Sequence, residues 1–299
     1  MKLAASEPFE GAKPMAVMDA PPLAPVGGDL VKRHALATRI WHWSNVVALV
    51  VMVMSGLMIF NAHPRLYWGQ FGANPDPAWF EIGSQGPRGF IKLGSLEVPT
   101  TGVLGVWRDP AGAVQHRAFP HWATIPSGYS LADARIWHLA FAWLLAIGLL
   151  GFMIASLINR HFRRDLTISR DEIRPAHVWA DIKDHARLRF PTGAAALRYN
   201  ILQKISYVAV IFMLLPLIIL TGLTMSPATI SNWQWLIDLF GGRQSARSLH
   251  FLAMVGLLGF IVVHLVMVVL AGPINEVRSM ISGRYRLPRE RVAEAEAEA

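Results

Sequence analysis

Ser248–Asn275 reads SLHFLAMVGLLGFIVVHLVMVVLAGPIN, 28 residues without one Asp, Glu, Lys or Arg. A helix that crosses a bilayer needs about 20 mostly apolar residues, and this stretch exceeds that length. Three more windows, 40–64, 136–159 and 205–237, are equally free of charge. They contain the runs Val46–Val53, Leu144–Leu150 and Val208–Leu220, and the quoted stretch contains Gly256–Leu270. A soluble bundle would carry charged stripes at helical spacing on its outward faces; these windows carry none. The spacing predicts four spans, near 37–60, 135–158, 202–225 and 248–272, in an all-α integral membrane bundle.

The composition agrees. Of 299 residues, 53% are hydrophobic and 16% charged, against roughly 25% charged in an ordinary soluble domain. The chain has no cysteine. That excludes disulfides, thiolate-held iron–sulfur clusters, covalently attached c-type haem and cysteine nucleophiles. The net charge of +8 marks topology rather than a nucleic-acid partner. Basic residues resist translocation. Ten Lys and Arg fall in 159–204, two in 226–247, five in the first 39 residues and five in 273–299. Six lie in 61–135, a connection long enough to translocate regardless of charge. Both termini and the 159–204 connection are therefore expected on the cytoplasmic side, with 61–134 and 226–247 opposite. Trp41, Trp43, Trp68, Trp122, Trp137, Trp233 and Trp235 lie near the expected helix ends, as an aromatic belt requires.

Outside the spans, residues 1–31 are rich in Pro, Ala and Gly and read as a disordered tail. Residues 289–299 end in AEAEAEA and read as a second tail. The membrane domain is expected over 32–288, with 61–134 as a small extramembrane cap. No internal repeat is evident.

Four of the eleven histidines lie inside the expected spans: His42, His138, His250 and His264. An ionisable side chain at membrane depth marks function by default. His250 and His264 stand 14 residues apart, which turns them to within about 40° of one face and separates them by about 21 Å along the axis. Depth pairs His42 with His264 on the cytoplasmic half and His138 with His250 on the outer half. Two stacked bis-histidine sites are what two porphyrin irons need, because each iron takes an axial nitrogen on each face. A proton relay or metal transporter would be expected to show acids beside the histidines, and none is present. Gly56, Gly148, Gly151, Gly222, Gly256 and Gly259 would let a flat macrocycle or another helix approach.

The strings RIWHW (Arg39–Trp43), ARIWHLAFAW (Ala134–Trp143), RYNILQK (Arg198–Lys204), TGLTMSP (Thr221–Pro227) and FGGRQSARSLHF (Phe240–Phe251), with His264, resemble one family in order. The chain is similar to the membrane-anchoring cytochrome b subunits of the thiosulfate reductase type. These are relatives of the gamma subunits of formate dehydrogenase and of the cytochrome b subunits of nickel–iron hydrogenase. The resemblance covers roughly 32–290. It implies two haem b groups, the cytoplasmic one on His42 and His264 and the outer one on His138 and His250. It implies a multi-pass protein of the bacterial inner membrane that exchanges electrons between quinone or quinol and a periplasmic redox subunit, of molybdopterin type by analogy. It also implies an electron-transfer subunit rather than a catalytic one, with Asn200 beside the quinone.

Residue chemistry extends the expectation. Gln203 and Lys204 could join Asn200 in donating to quinone oxygens. Arg39, Arg135 and Arg247 each precede a histidine by three residues, one turn on nearly the same face, and with Arg243 are candidates for haem propionates. His63, His116 and His121 read as solvated loop residues. A stand-alone quinol-oxidising cytochrome b and a haem-free transporter are the alternative readings.

Overall fold

The computed structural model describes residues 28–160, 162, 166–187, 199–226 and 232–287. The expected tails fall almost wholly outside these residues, as do Arg198 and Pro227 of the quoted strings. In chain order the elements are β1 (Leu30–Lys32), α1 (Leu36–Phe60), β2 (Arg65–Leu66), β3 (Phe80–Gln85), β4 (Arg88–Leu93), β5 (Leu96–Pro99), β6 (Trp107–Arg108) and β7 (Val114–Gln115). They continue with α2 (Leu131–Ile158) and α3 (Pro175–Ala186), α4 (Ile201–Met225), α5 (Gln234–Leu239), α6 (Arg243–Ala271), α7 (Pro273–Ser282) and β8 (Arg284–Arg286).

Helices α1, α2, α4 and α6 are each long and apolar enough to cross a membrane. Only 11% of the most apolar stretch of α6 is buried within the protein. Val262, Val263, Leu265 and Val266 point outward on it, so lipid must supply the contacts that protein does not. Helices α2 and α6 begin four and five residues ahead of the expected spans. Helix α2 starts at Leu131 because Ser130 caps it, its hydroxyl accepting from Asp133 N at 3.3 Å. Helix α6 starts at Arg243, just after Gly241 and Gly242, both at positive φ. A side chain at Gly242 would meet the backbone of Gly69 at 2.6 Å, so glycine is required where these two segments touch. Charged first turns are invisible to a search for uncharged windows.

Helix α4 contains Pro216, which can neither donate nor fit a regular turn behind it. A wide π turn over Val210–Leu214 absorbs that fault, as such turns do. At the far end of α6, Gly272 turns left-handed at φ 107° and Pro273 begins α7, which stops the span sharply.

The helices pack chiefly as two pairs, α1 on α2 and α4 on α6. Met52, Leu145, Leu149, Phe152, Leu215 and Leu257 form the central apolar cluster. Trp41 stacks on Phe152 with ring centres 3.9 Å apart.

The two ends of the bundle differ. At the terminal end β1 pairs antiparallel with β8, Arg33 pairs with Glu276 at 3.4 Å, and Trp43 Nε1 donates to Met280 O at 3.2 Å. The segments flanking the two tails are thus held together on one side. The other end carries the connection expected as a cap, and here the all-α description needs correction. Strands β2–β5 form one antiparallel sheet in the order β2-β3-β4-β5, and β6 pairs with β7. Two-residue loops at Gly86–Pro87 and Gly94–Ser95 join β3 to β4 and β4 to β5, each with a glycine at positive φ. Such glycine loops are hairpin signals.

The cap is bolted to the first turns of α6. Ser248 Oγ donates to Tyr67 O at 2.6 Å and accepts from Trp79 Nε1 at 2.9 Å. Ser245 Oγ accepts from Gly69 N at 2.7 Å. Phe251 stacks on Phe60 at 5.1 Å.

Candidate functional site

All four intramembrane histidines point into the bundle, and they meet in two pairs. The rings of His138 (α2) and His250 (α6) have centres 6.3 Å apart with planes at 58°. Those of His42 (α1) and His264 (α6) are also 6.3 Å apart, at 61°. Each ring is half-buried. Helix α6 serves both pairs because its two histidines share a face. The first pair lies at the cap end and the second at the terminal end.

The cap-end pair is built symmetrically. Ser55 on α1 and Thr221 on α4 are both fully buried. Ser55 Oγ lies 3.1 Å from His138 Nδ1, which is also 3.1 Å from Met52 O. Thr221 Oγ1 lies 3.1 Å from His250 Nδ1, and that ring also bonds to the backbone of Ile218. Each hydroxyl lies within donating distance of the carbonyl four residues earlier, Val51 at 2.7 Å and Leu217 at 2.6 Å. A hydroxyl has one proton to give, so toward the ring it accepts. Nδ1 then carries hydrogen on both rings, and Nε2 keeps its lone pair turned to the gap. The next residue is glycine in both helices. A Cβ on Gly56 would meet His138 Cε1 at 3.3 Å, and one on Gly222 would meet His250 Cε1 at 3.3 Å. The remaining glycines noted in the spans do not face a histidine.

The two halves of this site repeat a short motif. Ser-Gly-Leu at 55–57 matches Thr-Gly-Leu at 221–223, and Ala-Arg-x-x-His at 134–138 matches 246–250. The chain shows no long repeat, but these two corners are equivalent. Ser55 and Thr221 escaped the sequence reading because a lone hydroxyl in an apolar run is ordinary. The paired motif was the available signal.

The terminal-end pair lacks such support. Among the described residues His42 Nδ1 is buried without a hydrogen-bond partner, as are Trp41 Nε1 and Arg39 Nε nearby in sequence. His264 makes no hydrogen bond among the described residues; Phe260 stacks on it at 5.8 Å.

Two imidazoles that hold one metal ion from opposite sides, at about 2.0–2.1 Å per bond, have ring centres about 6 Å apart. Both pairs meet that spacing. Among the described residues no group of three or more His, Asp or Glu side chains could chelate a metal alone. A metal held by two imidazoles must therefore bring its other ligands, as an iron porphyrin does. The orphaned His42 Nδ1 and the glycine cradles at Gly56 and Gly222 fit such a group.

The arginines divide. Arg247 donates to Arg65 O at 3.0 Å and to His63 O, and lies over the Phe60 ring at 5.4 Å. It therefore ties the cap to α6. Arg39 donates to Ile281 O. Arg135 and Arg243 are exposed at the cap end, and the backbone N of Arg243 donates to Gln70 Oε1 at 3.0 Å.

Asn200 and Gln203 form a reciprocal capping box at the start of α4: Asn200 Oδ1 accepts from Gln203 N at 2.8 Å, and Gln203 Oε1 accepts from Asn200 N at 3.3 Å. Lys204 Nζ pairs with Glu172 at 2.6 Å and donates to Thr167 O at 3.2 Å. The Lys204 ammonium, with Ser169 N, holds the Glu172 carboxyl below its ordinary value. All three residues thus have structural duties at the helix entry.

In the cap, His63 is half-buried, with Nε2 3.1 Å from Tyr67 OH. Burial and the neighbouring Arg247 and Arg65 push its pKa down. His121 Nδ1 is buried without a partner among the described residues. Only His116 is exposed as expected.

Comparison with known proteins matches residues 33–283 to the family described as prokaryotic cytochrome b561. A protein of Azospira oryzae described as a protein-methionine-sulfoxide reductase subunit, YedZ1, is 27% identical over 238 residues, 79% of this chain and 90% of that one. A protein of Cupriavidus necator described as a Ni/Fe-hydrogenase B-type cytochrome subunit is 23% identical over 261 residues, 83% of each chain. No solved structure matches the chain significantly.

Proposed function

The chain belongs to the prokaryotic cytochrome b561 family, multi-pass b-type haem proteins of membrane electron transfer. On that premise we propose that it carries two haems b and links a quinone at the terminal end to a redox enzyme at the cap end. The observation that carries this reading is the pair of histidine contacts at two depths, each 6.3 Å between ring centres and each closed by α6.

A bound haem supplies the one-electron change between ferric and ferrous iron. The residues do the rest. His138 and His250 would hold a haem at the cap end through Nε2, and His42 and His264 would hold one at the terminal end through their ring nitrogens. Gly56 and Gly222 leave room for the rings to close on their helices. Arg135 and Arg243, exposed at the cap end, are the candidates for propionates there, and Arg39 is the candidate at the other end. Arg247 shares its fork with the cap carbonyls. The central apolar cluster keeps water from the path between the two sites.

The ten-to-two contrast in Lys and Arg between 159–204 and 226–247 supports cytoplasmic termini in a bacterial inner membrane. The cap then faces the periplasm over the His138–His250 pair. Both relatives are described as subunits of redox enzymes, which supports a periplasmic enzyme partner. The resemblance to the thiosulfate reductase type favours a molybdopterin enzyme. Quinone exchange belongs at the terminal end, beside the entry of α4. Asn200, Gln203 and Lys204 shape that entry; the capping box engages the side-chain oxygens of Asn200 and Gln203, whereas a quinone carbonyl takes an N–H, so the box and such a contact are compatible.

The test is haem stoichiometry in the purified protein. Two b-type haems per chain are expected, and His264→Ala should lose the terminal-end haem and quinol-coupled reduction while keeping the other. A parent protein without b-type absorption, or loss of the cap-end haem alone in His264→Ala, would overturn the reading.

A further inference from the structure

The two histidine pairs share a spacing but not a surrounding. At the cap end both Nδ1 atoms face a buried hydroxyl at 3.1 Å and a helix carbonyl. At the terminal end His42 Nδ1 has no partner, and His264 has none among the described residues. Bonding back to the carbonyl four residues earlier is common to any helical Ser or Thr and does not account for the contact that each hydroxyl makes with a ring. Both sit at corresponding places on α1 and α4, are fully buried, and are followed by the glycines that let the rings approach.

We propose that Ser55 and Thr221 are a matched pair of positioning residues that tune the cap-end iron through His138 and His250. This rests on the haem reading above. Each hydroxyl accepts the Nδ1 hydrogen, which fixes the tautomer and the ring orientation and raises the basicity of the ligating nitrogen. A more basic axial ligand stabilises ferric over ferrous iron, so the hydroxyls hold the potential of the cap-end haem down. The carbonyls of Met52 and Ile218 share each hydrogen, so removal of one hydroxyl weakens the bond without freeing the ring. Among the described residues the terminal-end pair has no such device, which makes the two sites electronically unequal.

The experiment is a redox titration of the purified full chain, with low-temperature EPR of the oxidised protein, in four variants. His138→Ala identifies which midpoint belongs to the cap end. Ser55→Ala and Thr221→Val, the latter a near-isosteric change, should each raise that midpoint and shift its low-spin EPR signal, with the terminal-end midpoint unmoved. Thr221→Ser restores the hydroxyl and should return the midpoint to the parent value. Two haems whose midpoints do not respond to Ser55→Ala or Thr221→Val would overturn the tuning role and leave the haem reading standing. Equal movement of both midpoints would overturn it as well, since a general loosening acts on both. A parent chain with no second midpoint would instead overturn the haem reading itself.

Discussion

At the level of single residues, function is written in what each histidine touches. Glycine at 56 and 222 is decided by contact: a Cβ would stand 3.3 Å from a ring carbon, tighter than ordinary van der Waals separation. Gly222→Ala asks the ring to yield by a few tenths of an ångström, and both haems should remain with an altered spectrum. Gly222→Val adds two methyls with nowhere to go. It should reduce the haem content from two per chain to one, measured by pyridine haemochrome assay. Arg247 is legible in the sequence as a cation one turn before His250, but not as the clamp on the cap. Its fork reaches two carbonyls through two separate nitrogens held in one plane, a geometry that the single nitrogen of lysine does not reproduce. Arg247→Lys should leave one carbonyl short, at a cost of about 1–3 kcal/mol, and should expose the 61–134 connection to protease.

At the level of elements, the helix entries hold the information that hydropathy lacks. Asn200 and Gln203 were readable as polar groups at quinone depth, yet spacing three apart is also the signature of a capping box, and the structure shows that bond pattern. The Lys204–Glu172 pair fastens this entry to the preceding connection. Because the Glu172 carboxyl titrates below its ordinary value of 4.5, the stability it contributes is present above that value. It is lost as the pH falls through the depressed folded value. Amide protection in the first turn of α4 should fall at acid pH in the parent. In Glu172→Gln it should be lower at neutral pH and nearly flat across that range; an unchanged acid response would exclude the pair as its source. The strands of the cap were missed for a different reason. They are short, and their glycine loops lie in a connection already rich in Gly and Pro.

At the level of the whole molecule, the apolar faces of four helices require lipid, and the two ends are chemically distinct. One end joins both terminal segments through the β1–β8 pairing; the other carries a β-sheet seated on α6. The absence of cysteine makes the orientation directly testable. Ser95→Cys, exposed in the cap, should react with a membrane-impermeant maleimide in spheroplasts. Ser282→Cys, exposed at the terminal end, should react only after the membrane is opened. The reverse pattern would invert the proposed orientation.

The amino-acid sequence by itself determined the number of spans, their approximate limits and the depth of each histidine. These follow from local quantities: charge-free length, helical rise and the parity of crossings. Only the tertiary structure decided which way the rings turn, which hydroxyls and carbonyls they meet, and which arginine is spent on the cap. Those contacts join residues such as Ser55 and His138, 83 positions apart, and Arg247 and His63, 184 apart. No periodicity along one helix encodes them. They arise when α1 packs on α2 and α4 on α6, and when the cap closes over the end they share.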